Sequence, residues 1–319
     1  MKKNGLNKKV VVIGGGHGQA AICRGIKNIE GIDITAIVTV ADDGGSTGRL
    51  RKKFHIPAMG DIRNVMISLA ESETIMSKLM DYRFADKSGK EEDVVGHNLG
   101  NLVLTALTDE CGSFMEAIQE VGQVLNVRGN IIPASTQVIT LLAKMEDGVI
   151  VRGEANIPKV ANRISEVFYE EEVKATPEAI QAILDADFVL YGIGSVYTSI
   201  LPNIIIPEIK KALAFSKAKK IYLCNAMTQP GETDNYTVED HVNALLKHGC
   251  TMDGVMIACD RIPEEEIAIY NKEGSIPVLL REDKHTYDIL EEELLDFSNN
   301  LIRHDPKKIE KAIRKLVED

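Results

Sequence analysis

The chain has 319 residues, 44% apolar and 27% charged, the balance of an ordinary globular protein with a sizeable core. Its formal charge of −11 argues against nucleic acid or anionic membrane as a partner, because no run of Lys and Arg is long enough to override it. The five cysteines, Cys23, Cys111, Cys224, Cys250 and Cys259, are odd in number and form no Cys-x-x-Cys pair, which speaks against a zinc site and for reduced thiols in a cytoplasmic protein.

Lys9 to Ile13 is a short, β-branched apolar run and predicts a buried parallel strand. Gly14-Gly15-Gly16 breaks it at once, so neither a signal peptide nor a membrane span is expected. A helix over about Gln19 to Asn28 and a strand over Ile34 to Val40 complete a βαβ opening. Helical spacing follows over Ile62 to Ala70, Thr74 to Phe84 and Leu99 to Leu107, with a charged loop from Asp86 to Asp93. Ser113 and Glu116 read as a capping box opening a helix to about Leu125.

Near Val127 the pattern changes. Strands are predicted at Asn130 to Ile132, Val138 to Met145 and Val149 to Glu154, the last two joined by the turn Glu146-Asp147-Gly148. The span of about 127–170 therefore reads as a small antiparallel insertion. The βα alternation then resumes, with strands at Phe188 to Tyr191, Ile221 to Cys224, Val255 to Ala258 and Val278 to Leu280. Helices fall at Pro177 to Leu184, Pro207 to Phe215, Val238 to Lys247 and Pro263 to Lys272. A last helix runs from Pro306 to Val317, with Asp305 as its cap. The expected fold is α/β: a single Rossmann-like domain over 1–319, built on a doubly wound, mostly parallel sheet.

Chemistry concentrates where strands end. Gly14, Gly15, Gly16, His17 and Gly18 lie between a strand and a helix, where glycines let a phosphate approach backbone N–H groups at a helix N-terminus. The alternative is a tight turn without a ligand. After the second strand, Asp42, Asp43, Gly44, Gly45, Ser46 and Arg49 offer more than the lone acid of an NAD site. Asp42 and Asp43 are candidate ligands for Mg²⁺ on a diphosphate, with Arg49 as a charge-assisted donor. NAD is not expected, and no Gly-x-x-x-x-Gly-Lys-Ser/Thr loop is present.

Asp61 stands either as a helix cap or as part of the site, with Arg63 and Asn64 in the same turn. Asn98 and Asn101, near His97, are amides that need partners if buried, and a ligand would supply them. A second turn carries Gly194, Ser195, Tyr197, Thr198 and Ser199, and Asn225 holds a similar place after the next strand. Tyr270 reads either as core or as a platform for a base, and Arg303 either as surface charge or as a diphosphate contact. No zinc-type histidine spacing or nucleophile elbow is present, so a hydrolase is not supported.

Taken together, Gly-Gly-Gly-x-Gly, Asp-Asp-Gly-Gly-Ser-x-Gly-Arg, Gly-Asp-Ile-Arg-Asn, Gly-His-x-Leu-Gly-Asn, Gly-Ser-x-Tyr-Thr-Ser-Ile-x-Pro-Asn and Met-Thr-Gln-Pro-Gly-Glu-Thr resemble the gluconeogenesis-factor (YvcK-type) family, related to the 2-phospho-L-lactate transferases. The resemblance runs from about Lys9 to Val317. It implies a cytoplasmic protein that binds a UDP-sugar such as UDP-N-acetylglucosamine and supports cell shape and wall synthesis on gluconeogenic carbon sources. From the transferase relatives it implies a metal and diphosphate site at Asp42 and Asp43. A transferase moving a phosphorylated group from a nucleotide diphosphate is the second reading, and an NAD-dependent oxidoreductase the third. A homo-oligomer is compatible with the acidic surface. Nothing in the sequence names the protein partners in envelope synthesis.

Overall fold

The computed structural model describes residues 7–71, 75–86, 93–282 and 284–318. It opens with β1 (Lys8–Gly14), α1 (Gly16–Ile26) and β2 (Ile32–Val38), the predicted βαβ unit. Val10 to Ile13 are buried and Ala36 to Val38 are fully so, as strands covered on both faces must be. Helices α2 (Gly45–Phe54), α3 (Gly60–Leu69), α4 (Ile75–Asp81), α5 (Leu99–Cys111) and α6 (Phe114–Val124) follow. The predicted Asp86 to Asp93 loop lies mostly outside the described residues.

Strand β3 (Asn130–Pro133) pairs in parallel with β2, Ala36 opposite Ile131, and forms one edge of the main sheet. This corrects the expectation that it belonged to the antiparallel insertion. The insertion itself is β4 (Leu141–Met145), β5 (Ile150–Arg152) and β6 (Ile164–Tyr169), in the order β5-β4-β6. Its hairpin turns at Gly148, whose φ of 87° suits glycine.

The chain then returns through α7 (Pro177–Asp185) to β7 (Phe188–Gly192), on the far side of β1 from β2. A π-helical turn (Val196–Ile200) leads into α8 (Leu201–Ile204) and α9 (Pro207–Phe215). Next come β8 (Lys219–Leu223), α10 (Val238–Lys247), β9 (Gly254–Ala258) and α11 (Glu264–Lys272). The sheet ends at β10 (Asp288–Glu292) rather than at the predicted Val278 to Leu280. That segment is a strap instead: Val278 N–H donates to Ala226 O at 2.9 Å, and Leu279 O accepts from Val238 N–H at 3.1 Å. A short ribbon, β11 (Leu295–Asp296) with β12 (Arg303–His304), precedes α12 (Pro306–Glu318). Asp305 caps α12 as expected, accepting from Lys307 N–H at 2.8 Å.

The seven-stranded order β10-β9-β8-β7-β1-β2-β3 is wholly parallel and makes the molecule Rossmann-like. The order reverses between β1 and β7. In open α/β sheets such a reversal leaves a crevice at the carboxyl ends, because successive loops turn away from each other there. Both glycine turns of the sequence lie at that point.

Candidate ligand site at the sheet reversal

The turn after β1 is fixed by close packing. A β-carbon at Gly18 would overlap the carbonyl of Ile193 in the turn after β7, and one at Gly15 would lie 2.6 Å from both Asp61 Oδ2 and Thr39 Cγ2. Gly16 holds φ at 62°. Buried Gln19 donates to Val12 O at 2.9 Å and Ile37 O at 2.8 Å, stitching β1 to β2 beneath the turn. Asn203 donates to Gly14 O at 3.0 Å and Ser199 O at 2.9 Å, so one amide joins the two turns. His17 is exposed at the rim.

The turn after β7 is fixed by side chains. Asn225 pairs with the Gly194 peptide in both directions, accepting from its N–H at 3.2 Å and donating to its O at 2.9 Å. Ser195 caps the π-helical turn by accepting from Thr198 N–H at 3.0 Å. The hydroxyls of Ser195 and Thr198 both donate to the buried carboxylate of Glu232. These two hydroxyls are therefore engaged within the protein. Tyr197 is buried, its hydroxyl 2.8 Å from that of Tyr236. Ser199 faces Gly16 and Gly194.

Beside the turns stands a group of acids. Asp42 Oδ1 accepts from Gly44 N–H at 2.9 Å, and burial, with Asp43 nearby, raises its pKa. Asp43 turns the other way and accepts from Ala155 N–H in the insertion at 2.9 Å. Asp61 does not cap its own helix α3. It reaches the first glycine turn, where burial and Asp42 push it up to about 7 against the pull of the Gly16 N–H and Arg63. Glu154, from the insertion, is pushed up to about 8 by burial and then by Asp42, Asp61, Glu232 and Asp43. Among the described residues no three carboxylates or imidazoles close around one point as a finished metal centre.

The cation beneath this group is Arg51, which the sequence presents only as part of a basic run. It is buried and donates to Asp42 O at 2.6 Å, Ala41 O at 3.2 Å and Ile139 O, tying the acidic loop to the segment before the insertion. Arg49 lies on the outer face of α2, exposed, donating to Val95 O at 2.9 Å. Gly44 and Gly45 start α2, a helix where a loop is expected from the glycines. Ser46, on its buried face, lies 2.9 Å from His97 Nδ1.

The buried amides find partners inside the protein. Asn98 caps α5 by accepting from Asn101 N–H at 3.2 Å. Asn101 Nδ2 reaches Ser46 Oγ and Thr47 Oγ1 at 3.4 Å each. Arg63 donates to Asn64 Oδ1 at 2.6 Å and Asn101 Oδ1 at 3.3 Å. Tyr270 is partly buried, and its hydroxyl accepts from Ile302 N–H at 3.0 Å, strapping α11 to the chain before β12. Arg303 is exposed on that ribbon.

The family model for 2-phospho-L-lactate transferase CofD matches residues 10–295. A gluconeogenesis factor of Bacillus subtilis (strain 168) is 43% identical over 99% of this chain and 100% of its own. The chain belongs to the gluconeogenesis-factor family. A second family member, from Halalkalibacterium halodurans, is 43% identical over 96% of this chain and 95% of its own. A crystal structure of a UPF0052 family member from Bacillus halodurans superposes with a TM-score of 0.91 at 42% identity, over 96% of this chain and 99% of that one. The gluconeogenesis-factor fold thus carries a 2-phospho-L-lactate-transferase-like domain. Among the described residues, no helix is long and apolar enough to cross a membrane.

Proposed function

We propose that the protein is a cytoplasmic regulator that binds a UDP-sugar, of the UDP-N-acetylglucosamine type, and serves cell shape and wall synthesis under gluconeogenic growth. The observation that carries the reading is the contact between the two glycine turns at the sheet reversal, where Gly18 packs on Ile193. Backbone N–H groups at the start of α1, beyond the Gly16 N–H that Asp61 takes, then lie at the sheet reversal, where such a helix start suits a pyrophosphate-sized anion. The family membership supports the same reading. NAD is not expected, since several acids and a glycine-started helix stand where a lone ribose-binding acid belongs.

A thermal-shift panel tests it. UDP-N-acetylglucosamine, UDP-glucose, GDP, NAD and ATP are each added with and without Mg²⁺. A ligand held by the native state alone stabilises it by about 2.7 kcal/mol at a hundredfold excess over Kd. The expected result is a rise with the UDP-sugars. A rise with NAD alone overturns the reading.

The acids favour a second reading, a Mg²⁺-dependent transferase acting on a nucleotide diphosphate donor. Asp42, Asp61 and Glu154 are crowded carboxyls whose burial and mutual repulsion favour the protonated form, a proton that a hard divalent cation would displace, and Mg²⁺ commonly takes one or two carboxylates together with substrate phosphates. Asp42 and Asp43 are the proposed ligands, Asp43 on release from Ala155. When bound, the cation would offset charge on the diphosphate. Arg51 would keep the loop in place through its three carbonyl contacts. Product formed from a nucleotide donor would promote this reading over the first.

A further inference from the structure

The wholly parallel sheet sets its amino ends along one edge, opposite the glycine turns. Lys8 and Lys9 of β1, Asp187 before β7 and Lys219 of β8 stand side by side there. Main-chain bonds fix their order: Lys219 N–H donates to Asp187 O and Asp187 N–H to Lys9 O, each at 2.9 Å. Helices α7 and α9 end on the same edge, joined where Ser216 Oγ donates to Ile183 O at 2.7 Å.

Phe215, the last residue of α9, is 71% exposed, and Leu184, near the end of α7, is 44% exposed. Around them runs a Lys-rich stretch, and no acid occurs from Ile209 to Gly231. Lys220 has a structural task. It is buried and donates to Ser216 O at 2.9 Å and Ala218 O at 3.0 Å, so the C-terminus of α9 is already served. Lys210, Lys211, Lys217 and Lys219 are exposed, and among the described residues their side chains form no ion pair or hydrogen bond. The acids of this edge are engaged: Asp185 pairs with Lys9 at 3.3 Å, Asp187 with Lys8 at 3.9 Å, and Asp253 accepts from Lys220 N–H at 2.8 Å. Glu208 lies in the first turn of α9, away from Phe215.

We propose that this edge docks on an anionic lipid bilayer, with Phe215 among the headgroups and the four lysines on the phosphates around it. The net charge of −11 repels such a surface as a whole. At about 0.1 M salt, charges more than about 10 Å apart are screened, so the patch that faces the bilayer decides. The chemistry of the patch favours a leaflet over an acidic protein. Its unpaired cations are all lysines, compact charges on flexible stems that follow mobile headgroups, whereas arginine forks match fixed carboxylates. Phe215 projects from a helix end, so it enters a soft layer without a pocket shaped to take it. The inference is independent of the nucleotide reading, because the glycine turns lie at the other end of the strands.

The test uses the full chain and two sets of extruded vesicles, one of equal parts phosphatidylglycerol and phosphatidylcholine, the other of phosphatidylcholine alone. In about 0.1 M salt the protein should sediment with the first and not with the second, and about 0.5 M salt should release it. A leaflet favours each facing Lys about fivefold, so Lys217→Glu with Lys219→Glu should weaken binding by about twentyfold or more. Phe215→Ser should weaken it by about tenfold. These positions are exposed, so melting temperature and UDP-N-acetylglucosamine binding should not move.

The chain has no Trp, so in Phe215→Trp emission reports on this edge alone. It should shift to the blue with the anionic vesicles and not with the neutral ones. A wild type that ignores anionic vesicles overturns the proposal. So does vesicle binding that survives Lys217→Glu with Lys219→Glu, or that leaves the emission of Phe215→Trp unchanged. Soluble polyglutamate that shifts this emission as far as the vesicles do would assign the edge to an acidic protein and overturn the bilayer.

Discussion

The turn after β1 and the turn after β7 touch, yet they keep their shapes by different means. The first is held by the absence of side chains: a β-carbon at Gly15 or Gly18 has nowhere to go. The second is held by side chains that reach in, Asn225 on Gly194 and Glu232 on Ser195 and Thr198. A glycine and a hydroxyl after a strand thus mark two distinct devices. One brings backbones together. The other spends its hydroxyls on a carboxylate and its Gly194 peptide groups on Asn225.

The sharpest way to break this contrast is Gly18→Ala. Its methyl group meets the Ile193 backbone, which cannot rotate away, so a loss on the order of 4 kcal/mol is expected in denaturant unfolding. A loss under about 1 kcal/mol would mean that the turns part easily. Next comes Arg51→Ala, which removes a buried cation from three carbonyls and from beneath the acids. A cost of roughly 3 kcal/mol is expected, with weaker Mg²⁺-dependent ligand binding.

On the second turn, Glu232→Ala should cost about 2 kcal/mol by stranding the Ser195 and Thr198 hydroxyls. Glu232→Gln keeps an acceptor and should cost less than about 1 kcal/mol. Equal costs would show that charge and not hydrogen bonding holds this turn.

Glu154 gives the pH dependence. Its carboxyl titrates near 4.5 in the unfolded chain and at about 8 when folded. Between these values the folded state binds the extra proton, so the stability contributed by the protonated group is lost as pH rises towards 8. Glu154→Gln should therefore gain on the wild type between pH 6 and 9, by about 1 kcal/mol after allowance for its partial exposure, read as melting temperature at each pH. The smallest effect belongs to Arg49→Ala, within about 0.5 kcal/mol, because its guanidinium sits at the surface on one carbonyl.

The sequence reveals the fold most clearly where local signals are complete. Pro207–Phe215 and Val238–Lys247 match the expected helices end to end, one opening on proline and the other on the Thr237 and Asp240 capping box. Helix α2 is hidden because it starts with glycine and its buried face carries Ser46, Thr47 and Arg51 beside Leu50. Strand β10 is hidden by its acids at a half-buried edge, and β3 by a pairing that only the whole sheet decides. Within the site, the glycines and Asp42 are evident from motif and place. Glu154 carries no local signal. Glu232 lies inside the Thr-Gln-Pro-Gly-Glu-Thr motif, where its role as acceptor for Ser195 appears only once β7 and β8 lie side by side.

The amide of Asn203 that reaches Gly14 O spans 189 positions of chain. During synthesis the first turn therefore emerges long before its clamp does. Domains tend to fold as units while the chain is made, so the paired turns at the sheet reversal mature late, after α8 has left the ribosome. A nascent chain stopped before Asn203 would hold β1 and its glycines without the amide that ties them to the second turn.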